Sequence, residues 1–305
     1  MSLIRNILLW ASKNYWISHK LPKYKFVQKS VLRFMPGETL DHALSKCSEL
    51  EDIGYGTIIT YLGENSLTKT QTLNTVKQYK DALASIDSRP LKSVISVKLT
   101  QLGLDIDEEL CVDNLKQLLN VADLKNTFVW IDMEEYIYLE LTLKIYKKLI
   151  QKHNNIGITL QSYLYRSEDD LESLLDIAPY IRLVKGAYAE DSSVSMHNRN
   201  EIYDNYIKLA NIMLEKNILK NGLIPSFATH DHQIIYSLIN KINVDKIDKF
   251  NYEFSMLYGI RRDLQDEILN SDQNLKILIS YGEEWFPWYV RRLAENPKNL
   301  ILLIK

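Results

Sequence analysis

Cysteine, glycine and proline are scarce in this chain of 305 residues, and neither sign of charge is in excess. The two cysteines, Cys47 and Cys111, form no CxxC or zinc-like spacing, which excludes a framework of several disulfides and indicates a reducing compartment. The 37 basic and 39 acidic residues give a net charge of −2, so we expect no nucleic-acid partner. With 46% hydrophobic residues, the composition is that of a globular protein with a sizeable core.

Long apolar runs are also missing, and none approaches the ~20 residues that a membrane-spanning helix needs. Two shorter apolar stretches, 7–11 and 300–304, lie near the chain ends. The first is flanked by Arg5 and Lys13 but is followed by no convincing cleavage site, so it does not indicate a signal peptide. Both stretches could pack onto the domain or lie at a membrane surface. We expect a cytoplasmic protein, with a peripheral contact at the inner membrane surface as the alternative.

The few glycines form none of the common phosphate-binding turns. Gly54, Gly56 and Gly63 surround the first apolar stretch but match no GxGxxG sequence, and the chain has no Walker lysine motif. An open doubly wound sheet, the rival architecture, would more often carry such a turn. Eight short apolar stretches, each followed by helical patterning, instead predict an α/β protein with a closed barrel of eight βα units.

The predicted strands cover residues 56–62, 93–99, 127–133, 157–163, 180–186, 223–229, 250–256 and 275–281. The predicted helices cover residues 68–86, 107–121, 135–153, 167–177, 199–218, 231–241, 262–269 and 284–294. Residues 1–52 are predicted to form a helical lead-in that closes the bottom or side of the barrel, with a helix cap at Thr39 or Asp41. Residues 53–305 would then form the barrel domain.

Charged residues stand at the carboxyl ends of the second and third predicted strands, where barrels of this class carry their active sites. Lys98 and Asp132 occupy equivalent places on these adjacent strands. A buried ammonium needs a partner or a ligand, so the two residues form either a structural ion pair or part of a binding site. A barrel aldolase that uses Lys98 as a Schiff base is a further alternative, although Asp132 would work against the neutral amine.

Polar residues also follow strands five and six. On strand five, alternation separates Arg182, Val184 and Gly186 from Lys185 and Ala187, and the small pair at 186–187 would let a flat ligand approach the backbone. After strand six, Thr229 and His230 either contact a ligand or flank a helix cap at Asp231 as surface residues. The chain has six histidines and no HExxH motif, so we expect no metal site.

The last predicted helix carries Arg291 and Arg292, two planar cations just beyond the final strand. Such a pair is suited to binding a carboxylate or phosphate through two parallel hydrogen bonds. The alternative is a solvated pair held by Glu295, which lies at helical contact spacing from both arginines.

Seven runs, in the same order along the chain, resemble those of the proline dehydrogenase family. They are ISVKL at 95–99, WIDMEE at 130–135, QSYL at 161–164, RLVKGAY at 182–188, ATH at 228–230, YEFSMLYG at 252–259, and Tyr281 followed by RRLAE at 291–295. RLVKGAY together with the terminal RRLAE makes the resemblance specific. It spans about residues 93–297.

The resemblance implies an FAD enzyme on a distorted (βα)8 TIM-type barrel. Such flavoproteins oxidise L-proline to Δ1-pyrroline-5-carboxylate, the first step of proline catabolism to glutamate. A hydride passes from the proline ring to flavin N5, and the electrons continue to a quinone or another acceptor. A hydroxyproline dehydrogenase of the same family and a non-redox barrel remain as alternatives.

The resemblance also implies roles for individual residues. Lys98, Arg291 and Arg292 would grip the proline carboxylate, with Asp132 and Glu295 orienting them. Tyr281 and Leu257 would line the proline ring, with Ala187 at its edge. Arg182 would lie near flavin N5. The remaining cofactor contacts would come from Gln161, Val184, Lys185, Gly186, Ala187, Thr229 and His230.

The chain departs from the family pattern at three places. Trp288 replaces a tyrosine that commonly stands three residues before the arginine pair, so it would line and reshape the substrate pocket. Ala189 stands where some members have tryptophan. No Rossmann fingerprint of an appended aldehyde dehydrogenase follows, so we expect a separate pyrroline-5-carboxylate dehydrogenase as a partner.

Overall fold

Eight parallel strands close into a barrel in the computed structural model, which describes residues 20, 24–63, 65–89 and 91–295. The strands pair in sequence order, and β8 pairs back onto β1. They are β1 Gly56–Tyr61, β2 Val94–Val97, β3 Val129–Ile131, β4 Ile156–Gln161, β5 Tyr180–Val184, β6 Ile224–Ala228, β7 Glu253–Leu257 and β8 Leu275–Tyr281. The predicted α/β barrel of eight βα units is confirmed. The apolar stretches at 7–11 and 300–304 lie outside the described residues.

Helices surround this barrel and also precede it. They are α1 Lys25–Val31, α2 Leu40–Asp52, α3 Lys69–Ser88, α4 Glu108–Leu124, α5 Tyr136–Leu149, α6 Ser167–Glu172, α7 Arg199–Met213, α8 Lys216–Lys220, α9 His232–Asp245, α10 Arg262–Asn270 and α11 Trp285–Glu295. Within the described ranges, every helix is too short or too polar to span a membrane.

Side-chain caps fix the starts of several helices. The hydroxyl of Thr39, and not Asp41, accepts the first free N–H of α2, from His42. At α3, Thr68 accepts from the Gln71 N–H while the Gln71 side chain accepts from the Thr68 N–H, a complete capping box. Asp231 caps α9 by accepting from the Gln233 N–H, the cap that one of the two sequence interpretations of this segment contains.

Most predicted bounds shift by a few residues in the structure, and three of the differences change the start, the end or the continuity of an element. Strand β7 starts at Glu253 and not at 250, because Lys249–Asn251 form a 3-10 turn capped by Asp248. The helix predicted at 167–177 ends at Glu172, where the Ser173 hydroxyl donates to the backbone of Asp170. The helix predicted at 199–218 is divided into α7 and α8.

Alternation along the strands separates the barrel interior from the helical layer. Most strand residues in the main core pack outward against the helices, whereas Ile58, Val94 and Trp130 form a separate buried cluster inside the barrel. Gly157 on β4 leaves room for this filling, because a Cβ there would lie 2.7 Å from a ring atom of Trp130. Trp130 therefore forms a solid floor beneath the carboxyl ends of the strands.

The described part of the lead-in reaches the mouth of the barrel. Helix α1 packs against α11 in an apolar cluster that also contains Leu62, just beyond the carboxyl end of β1. Gly259, in the loop after β7, adopts a φ of +77° and lies directly against the backbone of Arg33. The expectation that the lead-in closes the bottom or side is therefore wrong for α1. Helix α2 does follow the side, and Glu51 in its last turn accepts from Ser93 before β2.

Candidate active site

A buried ionic cluster occupies the barrel interior at the ends of β2, β3 and β5. One oxygen of Asp132 accepts from Arg182 Nη1 at 3.1 Å and from Ser96 Oγ at 2.7 Å, and its other oxygen lies 3.9 Å from Lys98 Nζ. Lys98 is 8% exposed and Arg182 is 3% exposed. The structure thus brings together the three strand-end charges that the sequence singled out, with one carboxylate between two cations.

Arg182 has more donors than this cluster uses. Its guanidinium lies over the Trp130 ring, 4.3 Å from the centroid, and Nη1 also donates to Ser96 Oγ. Nε and Nη2 are buried, with no hydrogen-bond partner among the described residues. Burial lowers the pKa of Arg182, while Asp132 and Glu253 favour its charged form. Two unsatisfied donors on a buried cation are the chemistry of a site that receives an acceptor group.

Gln161, the last residue of β4, has a buried acceptor without a donor, whereas Arg182 has buried donors without acceptors. Its Nε2 donates to the backbone oxygens of Met133 and Glu134 at 3.2 and 3.1 Å, which fixes the amide plane. Its Oε1 is buried without a donor in the described part of the chain, and so are the hydroxyls of Thr159 and Ser162. Gln161 therefore presents an oriented acceptor beside the Arg182 donors, because β4 and β5 are paired here.

The turn after β5 is shaped by an aromatic ring. Gly186 adopts a φ of +110°, and a Cβ there would overlap the ring of Tyr163. The close approach of Tyr163 therefore requires a glycine here, and the predicted contact of Gly186 with a flat ligand stays a prediction. Lys185 forms an ion pair with Asp231, the cap of α9, while Val184 and Ala187 are partly exposed.

His230 is partly exposed, but its ring nitrogen Nδ1 is buried, so it is not the surface residue of the alternative interpretation. Burial lowers its pKa to about 3, and the positive charges of Arg292, Arg261 and Lys185 add to the shift. Its Nε2 lies 3.4 Å from the Leu257 N–H and accepts from it, which assigns the proton to Nδ1. Nδ1 is buried and meets no acceptor within the described ranges. The neighbouring Thr229 accepts from the Asp231 N–H through its hydroxyl.

The arginine pair of α11 faces this same mouth. Arg291 lies 6.0 Å from the ring centroid of Tyr188, in the loop after β5, and Arg292 acts on the pKa of His230 after β6. The pair therefore stands over the ends of β5 and β6. The side chain of Glu295 lies outside the described residues, so its predicted role stays a prediction.

Tyr281 does not face the barrel interior. It belongs to the outward core, is 1% exposed, and its hydroxyl lies 3.4 Å from the backbone oxygen of Gln78 on α3. The prediction that Tyr281 lines a substrate ring is therefore wrong, because it is in phase with the helix-facing Ile277 and Ile279. Leu278 is in the opposite phase, packs on the interior Trp130 cluster and pairs in register with Leu257. Leu257 and Leu278 form the apolar wall of the interior.

Trp288 also lies in an apolar environment. It is 8% exposed within the cluster formed by α1 and α11, and the Arg292 guanidinium lies 5.9 Å from its ring centroid. Its placement favours packing, with a cation-π contact to one of the arginines as its link to the site.

Several interior residues escaped sequence reasoning. The buried Glu253 and the partly exposed Lys276 form an ion pair of 2.6 Å at the starts of β7 and β8. The alternation of the strand could have identified Glu253. It lies two residues before Ser255 and four before Leu257, so all three side chains point to the same side of β7. Among the residues that the structure describes, no group of three or more histidine, cysteine, aspartate or glutamate side chains could hold a metal ion.

Comparison with known proteins places these features in one family. Residues 43–302 match the family model described as proline dehydrogenase. Proline dehydrogenase 1 of Bacillus subtilis (strain 168) is 32% identical over 99% of this chain and 98% of its own length. The proline dehydrogenase of Deinococcus radiodurans is 31% identical over 90% of this chain and 88% of its own length.

A solved structure supports the same fold. Proline utilization A (PutA) of Bdellovibrio bacteriovorus, inactivated by N-propargylglycine, superposes with a TM-score of 0.82 at 23% identity. The match covers 96% of this chain and 36% of the PutA chain, so it is evidence for the barrel fold alone. Because the family model matches residues 43–302, most of this chain, the chain belongs to the proline dehydrogenase family.

Proposed function

We propose that this protein oxidises L-proline to Δ1-pyrroline-5-carboxylate with FAD as the hydride acceptor, the first step of proline catabolism to glutamate. The observation that carries this proposal is the buried Lys98, Asp132 and Arg182 cluster beneath the arginine pair of α11. A small amino acid needs a cationic site for its carboxylate and an apolar wall for its ring, and this mouth offers both.

Lys98, Arg291 and Arg292 would bind the proline carboxylate. Asp132 orients Lys98 through the ion pair at 3.9 Å, and Glu295 would do the same for the arginines. Leu257 and Leu278 would contact the ring carbons from the β7 and β8 side, with Ala187 at the edge. Trp130 and Ile58 beneath them keep bulk water out of the interior, which strengthens each charge contact.

The unsatisfied groups at the strand ends fit a flavin. The isoalloxazine ring carries both carbonyl acceptors and an N–H donor, which matches the buried donors of Arg182 and His230 and the buried acceptor of Gln161. Val184, Lys185, Gly186 and Thr229 would complete the cofactor contacts at the ends of β5 and β6. FAD, when bound, supplies at N5 the acceptor for the hydride that leaves the proline ring. Arg182 would stabilise negative charge near that position.

We propose that the reaction involves an electron acceptor and a second enzyme besides this protein. A quinone or another acceptor would take the electrons, and a separate pyrroline-5-carboxylate dehydrogenase would consume the product. We propose a cytoplasmic location with a peripheral contact at the inner membrane surface as the alternative. We also propose residues 1–52 as the lead-in and 53–305 as the barrel domain, which is compatible with α2 ending at Asp52.

A second substrate is favoured by one observation. Tyr281, the aromatic residue that the resemblance places beside the proline ring, packs against α3 instead. Leu278, which takes the interior position, is smaller than tyrosine and leaves more room beside the ring. We therefore propose 4-hydroxyproline as a slower substrate of the same site.

A visible absorption spectrum of the purified protein tests the flavin assignment. We expect a yellow protein whose released cofactor is FAD. The aldolase alternative predicts a colourless protein in which borohydride traps a carbonyl substrate on Lys98. A colourless protein that takes up no added FAD would contradict the proposal.

A further inference from the structure

A second carboxylate, Glu253, is buried inside the barrel and has no place in the proposed reaction. It is 4% exposed at the start of β7. Its Oε2 lies 2.6 Å from Lys276 Nζ, whereas its Oε1 is buried and receives no hydrogen bond from the described residues. A buried carboxylate oxygen without a donor is costly, and a second cation nearby would lower that cost.

The register of the barrel identifies that cation. Glu253 is aligned with Ser226 on β6, and Ser226 is aligned with Arg182 on β5, so the three residues form one row across three strands. Side chains of alternate strands share a layer inside such barrels. The residue between them is a serine whose hydroxyl is bonded to Ser255 at 2.9 Å. No large side chain of this row therefore separates Glu253 from Arg182.

Arg182 has buried hydrogen-bond donors that lack acceptors, whereas Glu253 has a buried acceptor that lacks a donor. Asp132 accepts from Nη1, but Nε and Nη2 lack acceptors among the residues described. Asp132 and Glu253 are the two anions that favour the charged guanidinium against the effect of burial. Arg182 thus lies between a carboxylate of the β3 end and a carboxylate of the β7 start.

Lys276 anchors Glu253 from the far side. Its aliphatic chain runs past Gly56 on β1, where a Cβ would lie 2.8 Å from Lys276 Cγ. The pair is therefore fitted into the interior, where the lysine holds one carboxylate oxygen while the other makes no hydrogen bond with the described residues.

We propose that Glu253 is a positioning residue for Arg182. Anchored by Lys276, its carboxylate keeps the guanidinium over Trp130 and against Asp132, and it lowers the positive potential at the ends of β4 and β5. The effect on a bound flavin rests on the proposed function, whereas the coupling between Glu253 and Arg182 does not.

The first test is the reduction potential of the flavin in two variants with opposite charge changes. Glu253→Gln removes the anion, so the electron-rich reduced cofactor is stabilised and the potential rises. A tenfold change in the redox equilibrium corresponds to about 30 mV for a two-electron couple. Lys276→Met leaves the carboxylate without its counter-cation, so the potential falls. Asp245→Asn, which removes a surface carboxylate paired with Lys241, is the matched control and leaves the potential unchanged.

A merely structural ion pair gives a different pattern. Both variants would then lower the melting temperature with no change in potential, and that result overturns the proposal. If Glu253→Gln does not fold, the comparison is made in the Lys276→Met background, where adding Glu253→Gln must raise the potential; if Lys276→Met does not fold, the Glu253→Gln variant alone must raise it. Potentials that move in the same direction in Glu253→Gln and Lys276→Met would equally contradict it.

The second test does not depend on flavin. A double-mutant cycle with Glu253→Gln and Arg182→Met measures their coupling in the unfolding equilibrium of the protein. We expect the two changes to deviate from additivity by at least tenfold in the unfolding equilibrium constant. Additive effects would show that Glu253 does not act on Arg182 and would overturn the proposal. Absence of flavin from the wild-type protein with strong coupling would instead contradict only the proposed function.

Discussion

The Arg182 guanidinium lies over the indole of Trp130, 4.3 Å from the ring centroid, while Asp132 holds its Nη1 from the side. The ring fixes the plane of the cation, and the carboxylate fixes its rotation within that plane. Two donors therefore remain aimed at the ends of β4 and β5. The position of a bound cofactor at this mouth would be set by this pair more than by any loop.

Asp132→Asn tests the centre of the cluster. The change leaves Lys98 and Arg182 buried without their shared anion, so both cations lose their fixed positions. We expect a fall in kcat/KM for proline of a hundredfold or more, and a loss of unfolding free energy approaching the ~3–5 kcal/mol found when one partner of a buried pair is removed. Steady-state kinetics and urea unfolding measure the two effects. Unchanged kinetics would remove Asp132 from the site.

Arg291→Met tests the carboxylate clamp. This cation faces the mouth, so its loss should weaken proline turnover and leave the flavin content intact. Loss of a charge-assisted hydrogen bond costs about 1.5–3 kcal/mol, or roughly a ten- to a hundredfold fall in kcat/KM.

Two companions sharpen the test of the clamp. Arg291→Lys keeps the charge but loses the planar fork and should recover only part of the activity. Arg292→Met should also raise the pKa of His230, because the Arg292 charge lowers it in the wild type. Equal kcat/KM for wild type and Arg291→Met would refute the clamp.

The ring pocket is tested by exchanging the roles of two β8 residues. Leu278→Tyr places a phenol in the interior beside Leu257, so discrimination of proline over 4-hydroxyproline should rise by about 1–3 kcal/mol. Tyr281→Phe should leave that ratio unchanged, because its hydroxyl makes only a 3.4 Å contact with the Gln78 backbone. The ratio of kcat/KM for the two imino acids decides. A change of selectivity in Tyr281→Phe would restore the role that its placement denies.

His230 predicts a pH dependence of stability. Its pKa is about 3 in the folded protein and lies near its ordinary value of 6.5 when unfolded. As the pH falls, the imidazole of the unfolded state therefore becomes protonated before that of the folded state. The contribution of neutral His230 to the free energy of unfolding is fully present above pH 6.5 and is lost as the pH falls towards the folded pKa. His230→Asn should flatten this slope between pH 6 and pH 4 in urea-unfolding titrations. A slope identical to that of the wild type would show that His230 is not buried as a neutral ring.

The sequence predicted the barrel because its strand signals are local. Strand β8 has the predicted bounds 275–281, since its apolar run is continuous and ends before Gly282. Strand β7 starts three residues later than predicted, because the aromatic Phe250 belongs to a capped 3-10 turn that imitates a strand in composition.

Within the site, the pairing of Lys98 with Asp132 is confirmed because residue type and strand end coincide there, whereas their role in binding stays a prediction. The prediction was wrong at Tyr281, because this residue shares the phase of Ile277 and Ile279 on β8 and so faces the helices. The relation between Glu253 and Arg182 depends on the stagger of three paired strands, which no single segment encodes.

The central claim is that this barrel uses its own flavin to oxidise proline. A single-turnover experiment without oxygen or any other acceptor tests it most directly. Mixing the purified protein with excess L-proline should bleach the flavin absorbance and release one Δ1-pyrroline-5-carboxylate per bound flavin, two hydrogens lighter than proline, with D-proline as the control. A flavin that stays oxidised in the presence of L-proline, with no such product detected by mass spectrometry, would contradict the account.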